Sequence, residues 1–182
     1  MTHVQLHCSC GESRLDLTGE PVLSVECCCT SCRSAAMRMQ TLPGAPRLLT
    51  DYGATPLVLY RKDRVHIAAG NERLAGFRLD PKSRTRRVVS TCCNTPVFLD
   101  FEPGHWLSLY ASLWPKETRP VPEMRTMTGD LEERSCLPDD VPNPKAHTVS
   151  FFVRLLSAWV LMGFRVPKIT VPRDLVIQAI RQ

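Results

Sequence analysis

The sequence predicts a mainly β body of antiparallel strands followed by a helical appendage. Short alternating apolar runs recur at regular spacing through about residue 113, with Gly, Pro, Asn or Asp between them. A long apolar run from Val149 to Phe164, preceded by Thr148 as a cap, predicts the appendage. The 182 residues are 43% hydrophobic and 23% charged, ordinary for a globular chain with room for one core and an appendage. A net charge of +5 is too weak on its own to argue for nucleic acid.

In chain order, Val4–Cys8 alternates and reads as a strand, and Glu12–Leu17 repeats the pattern with Leu15 and Leu17 on one face. Gly19-Glu20-Pro21 is a turn, and Val22–Val25 leads into a cysteine run. Ser31–Met37 reads as a short helix or turn. Residues 41–56 carry little pattern, and Leu57–Tyr60 is a strand. Val65–Ala69, Leu74–Leu79 and Thr85–Val89 read as a meander, turning at Gly70-Asn71 and Asp80-Pro81. Val97–Phe101 and Trp106–Ala111 complete the body.

Residues 1–114 therefore form the β domain. Residues 115–148, rich in proline and charge, form an extended or poorly ordered connection. Residues 149–182 form the helix and tail. The helix spans Val149–Met162, with an apolar stripe of Phe152, Leu155, Leu156 and Trp159 widened by Phe151, Val160 and Leu161, and Gly163 ends it. It is expected to pack on the body or on a second copy, giving a homodimer. Leu175–Ile180 reads as a short helical turn.

Function is concentrated in the cysteines. The run Glu26-Cys27-Cys28-Cys29-Thr30-Ser31-Cys32 puts four thiols in six residues, three of them as C-x-C-x-x-C. Thiolates this close repel unless a cation neutralises them, and zinc is the usual choice for clustered sulfur. Nine cysteines, an odd number, with no signal-type apolar segment at the N-terminus, point to reduced thiols and metal in a cytoplasm. No apolar run reaches the roughly 18–20 residues of a membrane span.

The spacing suggests two sites. Cys8-Ser9-Cys10-Gly11 and the distant Cys92-Cys93-Asn94-Thr95-Pro96 turn are two knuckles that, brought together, make a closed four-ligand structural site. Cys27, Cys29 and Cys32 make a second, with a fourth position open to water or a substrate thiol, the mark of a catalytic rather than a structural zinc.

These three stretches, Cys8-x-Cys10-Gly11, Cys27-x-Cys29-x-x-Cys32 and Cys93-Asn94-Thr95-Pro96-Val97, resemble the glutathione-dependent formaldehyde-activating enzyme family, which includes centromere protein V-like proteins. The resemblance covers roughly residues 4–112. It implies an Mss4-like β-tent, a structural zinc from the first and last cysteine pairs and a more labile zinc at the middle three. The activity it implies is carbon–sulfur lyase chemistry of the S-hydroxymethylglutathione synthase type, with Cys27, Cys29 and Cys32 catalytic. Two departures stand out. Cys28 occupies the place of the family's usual histidine. In the last motif, usually C-x-x-C-G, Ser90 stands at the first cysteine position and Asn94 at the glycine. Asn94 can adopt the left-handed conformation, but Ser90 is a poor ligand. Adjacent Cys92 and Cys93 rarely both reach one ion without a distorted turn. Cys8, Cys10, Cys92 and Cys93 remain the expected ligands of the closed site, which Ser90 weakens.

Other candidates are weaker. Cys28 reads as a bystander or an oxidisable thiol, and Cys136 as a solvated thiol. His7 lies beside a ligand and could substitute for one, whereas His3, His66, His105 and His147 have no partner at motif spacing. Lys82, Arg84, Arg86 and Arg87 read first as a solvated strand, and in a functional version as carboxylate binders for a glutathione-like ligand. The expected partner is a small-molecule thiol or thiol adduct, with no nucleic acid and no transmembrane segment. The rival to a lyase is a non-catalytic, zinc-stabilised binding module.

Overall fold

The structure is a computed structural model and describes residues 2–177. It is mainly β, with eleven strands in two sheets and two α-helices. The body strands fall where the alternation places them. They are β1 (His3–His7), β2 (Arg14–Thr18), β3 (Leu23–Cys27), β4 (Thr55–Arg61), β5 (Val65–Ala69), β6 (Leu74–Phe77), β7 (Thr85–Ser90), β8 (Thr95–Phe101) and β9 (Trp106–Tyr110). Helix α1 (Thr30–Gln40) follows the cysteine run where a short helix or turn over Ser31–Met37 was expected, and it is longer than that at both ends.

The large sheet has the order β10-β3-β4-β9-β8-β7-β6-β11, and a small sheet has the order β1-β2-β5. The meander reading is corrected at one point. β5 pairs with β2 in the small sheet and not with β6. Gly70, at φ +72°, and the 3-10 turn Asn71–Arg73 carry the chain from one sheet to the other. A Cβ at Gly70 would meet the Glu12 carbonyl at 2.5 Å, so only glycine fits that crossing.

Period-two alternation gives the large sheet two buried faces. On β4, Val58 and Tyr60 join Leu6, Leu15, Leu17 and Val65 in a core between the sheets. Leu57 and Leu59 point the other way, onto a second core with Ala35, Ala36 and Met39 of α1 and Phe151 and Leu155 of α2 (Val149–Leu161).

Residues 115–148 are extended and mostly exposed, and they are pinned to the body around residues 125–131, where a loose connection was one expectation. β10 (Met124–Thr126) runs parallel beside β3, with Thr126 opposite Cys27. Arg125 anchors it. Its side chain is buried, and its Nε lies 2.8 Å from Glu26 Oε2. Its Nη1 donates to Asp140 at 2.8 Å and to the Pro138 carbonyl at 3.1 Å. Tyr52 completes the group by donating to Glu26 at 2.6 Å. Proline-rich backbone, with few N–H groups of its own to satisfy, is held here by one fork-shaped cation.

Thr148 caps α2, its hydroxyl accepting from Phe151 N. Gly163, at φ +61°, ends it, with Phe164 N donating to the Trp159 carbonyl and Gly163 N to that of Val160. The buried stripe is Phe151, Leu155, Ala158 and Met162, while Leu156 of the expected stripe faces outward and Phe152 sits at the cavity margin, partly exposed. A helix apolar nearly all round does not specify its inner face by pattern alone. The choice follows His105, whose Nε2 lies 2.7 Å from the Leu155 carbonyl and whose ring stacks on Trp159. Beyond it, β11 (Arg173–Asp174) pairs parallel with β6. Leu175–Ile177 are not helical, and the rest of the turn expected there lies outside the described residues.

Replacing Arg125 by Met leaves Glu26 buried beside a missing cation. The expected loss of stability is about 3 kcal/mol in urea unfolding, and less in the Glu26→Gln/Arg125→Met double variant, because the orphaned charge is then gone.

Candidate metal centres

The first cluster joins the β1–β2 turn to the β7–β8 turn. Its four sulfurs, from Cys8, Cys10, Cys92 and Cys93, all lie within 4.8 Å of one another. Individual separations are 3.5 Å for Cys8–Cys10, 3.7 Å for Cys8–Cys92, 3.1 Å for Cys10–Cys92 and 3.8 Å for Cys92–Cys93. A tetrahedral zinc with bonds of about 2.3 Å requires sulfur–sulfur edges of about 3.8 Å. The four thiols therefore stand near ligand spacing, drawn slightly inward.

The adjacent pair Cys92 and Cys93 both reach this cluster, with Ser90 beside it and not among the four sulfur ligands. Asn94, at φ +55°, supplies the left-handed turn, and its side-chain amide donates to the Pro43 carbonyl at 2.9 Å. Ser90 is fully buried and supports the cluster from behind, with its hydroxyl 2.6 Å from that of Ser13 and 3.1 Å from Cys92 Sγ. Thr95 ties the two turns together by accepting from Ser9 N at 3.0 Å. Burial pushes the Cys8 thiol up, but hydrogen bonds from the Ser13 amide and the Ser90 side chain outweigh it and bring it down to about 6. His7 stays exposed on β1, outside the cluster.

The second cluster is Cys27, Cys29 and Cys32, also within 4.8 Å of one another. Cys27 is the last residue of β3, Cys29 is the N-cap of α1, and Cys32 lies in its first turn. Cys29 Sγ accepts from Cys32 N at 3.3 Å, so the helix start directs positive backbone dipoles at this sulfur. Asp130, from the C-terminal third, fixes the same helix end by accepting from Thr30 N at 2.9 Å. Hydrogen bonds from Cys27 and Cys32 hold the Cys29 thiol well below its ordinary value. The same contact with Cys29 pushes Cys27 up to about 12, and Cys32 is raised chiefly by its contacts with Cys27 and Cys29. The trio without metal thus shares one thiolate between two thiols.

These sulfurs open into a cavity of about 430 Å³ between the large sheet and α2. Leu57, Leu59, Leu99, Trp106 and Phe151 line much of it. Arg87 lines it too, 1% exposed, its Nη2 donating to Ser31 Oγ at 2.6 Å. No carboxylate pairs with Arg87 among the described residues. Of the basic group on β7, this residue alone turns to the cavity. Arg86 projects away to Asp100 at 2.9 Å, where Lys62 also pairs, and Lys82 and Arg84 are exposed.

Cys28 points away from the cluster, buried with Ala54 and Leu131, where burial lifts its thiol to about 11. Cys136 is exposed. His147, which has no motif partner in sequence, lies on the cavity wall and stacks on Phe151. Arg125, Asp130 and His147 carry no spacing signal, because each reaches the site from more than ninety residues along the chain.

No protein-family model matches the chain, and no curated protein matches it. A crystal structure of a Rhodobacter sphaeroides protein is similar over 68% of this chain and 100% of that chain, at 15% identity and a TM-score of 0.45. Among the described residues, no helix is long and apolar enough to cross a membrane.

Both clusters have the geometry to hold a metal ion. Because Cys27 and Cys32 are held protonated, metal uptake by the trio displaces about two protons, and affinity rises with pH. Calorimetric titration in buffers of different ionisation enthalpy measures this release. An affinity flat from about pH 6 to 8 would contradict thiolate ligation.

Proposed function

We propose that Cys27, Cys29 and Cys32 hold zinc and present it to the sulfur of a thiol or thiol–aldehyde adduct, in carbon–sulfur lyase chemistry of the S-hydroxymethylglutathione synthase type. The observation that carries this reading is a trio of sulfurs at ligand spacing that lies at the wall of a largely apolar cavity open to solvent on one side. The four-cysteine cluster would hold a second, structural zinc. Its role is to fix the β1–β2 and β7–β8 turns, and through β7 the strand that carries Arg87.

A bound zinc supplies a positive centre that lowers the pKa of an incoming thiol and accepts its thiolate. The chain's own residues do the rest. Arg87 offsets part of the negative charge of the sulfurs. The apolar walls orient the ligand and exclude water. In the cleavage direction the carbon–sulfur bond of the adduct breaks and its electron pair stays on sulfur. The hydroxyl O–H pair becomes the aldehyde C=O, and the proton leaves to solvent at the cavity mouth beside His147. Addition is the reverse.

The direct test is Cys29→Ser. Zinc content is expected to fall from two per chain to one, with turnover of the adduct lost. Cys10→Ser removes the other zinc. Unchanged zinc in Cys29→Ser would overturn the assignment.

A second reading, a zinc-stabilised binding module without catalysis, is favoured by the outer face of α2. Val149 is 80% exposed and Leu161 72% exposed, with Val153, Leu156 and Val160 between them. An exposed apolar face of this kind suits a two-fold homodimer through the helix. Leu156→Glu is expected to convert a dimer to a monomer in sedimentation analysis. A wild-type chain that is monomeric at all concentrations contradicts the dimer.

A further inference from the structure

The cavity at the three-cysteine site has a lining that restricts what thiol can enter. Leu57, Leu59, Leu99, Phe101, Trp106 and Phe151 present apolar or aromatic surface on several sides. Among the described residues that line it, no carboxylate, lysine or amide side chain is present. Arg87 is the one permanently charged group on the wall, and it is fully buried.

The charges decide what Arg87 is for. Three thiolates around a divalent cation carry a net charge of about −1, and an incoming thiolate makes it about −2. Arg87 brings this back toward neutrality, so its charge is already matched by the sulfurs. The site then still carries about −1, and a ligand carboxylate would meet no second cation. Burying a carboxylate without a partner is strongly disfavoured. Glutathione carries two carboxylates and an ammonium. The lining instead rewards a body that leaves water for apolar contact.

We infer that the thiol taken by this site has an uncharged apolar body, an aryl or branched alkyl thiol and its aldehyde adduct, and that glutathione is not its partner. This rests on the thiol-handling reading of the Cys27, Cys29 and Cys32 site. Phe152 stands at the cavity wall and is 56% exposed, so an apolar ligand also finds a hydrophobic lip at the entrance.

The test is calorimetric binding to the zinc-loaded full chain, with phenylmethanethiol, its sulfur-free isostere ethylbenzene, and glutathione as probes. Phenylmethanethiol is expected to bind roughly tenfold or more tighter than glutathione, and clearly tighter than ethylbenzene. In Leu99→Lys, at a half-buried wall position outside the sulfur cluster, phenylmethanethiol is expected to weaken about tenfold while zinc content stays unchanged. Glutathione binding as tightly as phenylmethanethiol would overturn this inference and leave the thiol site standing. Ethylbenzene binding as tightly as the thiol, or no binding of either thiol to the loaded protein, would overturn the thiol reading itself. Unweakened phenylmethanethiol in a folded, zinc-loaded Leu99→Lys variant would place its binding outside this cavity.

Discussion

The end of β3 and the start of α1 must hold three sulfurs within ligand distance of one another, and much of the molecule answers that constraint. Like charges at this spacing repel, and a trio of thiols is stable only if protons or a cation balance it. Cys27 stands at the end of a strand, and Cys29 and Cys32 at the start of a helix. Any drift between the two elements would separate the ligands. Glu26, immediately before Cys27, is pinned by Arg125, and Thr30, immediately after Cys29, by Asp130. Both anchors come from the proline-rich third of the chain.

That third also covers the exposed edges of the large sheet. β10 adds to β3 on one side and β11 to β6 on the other, both parallel, on a sheet otherwise antiparallel. An uncovered edge offers a row of unpaired backbone groups to other chains. Here each edge is closed by a short, charged segment of the same chain. Between them α2 crosses over the face that carries the sulfurs and roofs the cavity. The edge strands and the roof thus belong to one stretch of sequence, which makes the C-terminal third part of the site.

The body strands were legible because half-buried strands alternate, as Leu15 and Leu17 do, and because a short continuous apolar run such as Leu57–Tyr60 marks a strand buried on both faces. The cysteine groupings were legible because metal ligands on tight turns must be close in sequence. The place of Ser90 is a matter of geometry. Motif alignment puts it at a ligand position, yet a left-handed Asn94 swings the turn so that both Cys92 and Cys93 face the cluster, and Ser90 becomes a buried hydrogen-bond partner. β5 was misread because nearness along the chain favoured β6, while its apolar face matched β2 across a Gly70 crossing.

By itself, the sequence determined the strand pattern, both α2 caps and the two families of clustered thiols, because each depends on residues a few positions apart. Only the tertiary structure decided which arginine of β7 faces the sulfurs, which side of a largely apolar helix is buried, and what lines the open site. Arg86 and Arg87 are neighbours of the same type, and one residue of register sends the first to Asp100 and the second to the cavity. No local pattern separates them, since that choice is made by strands and helices far away in the chain.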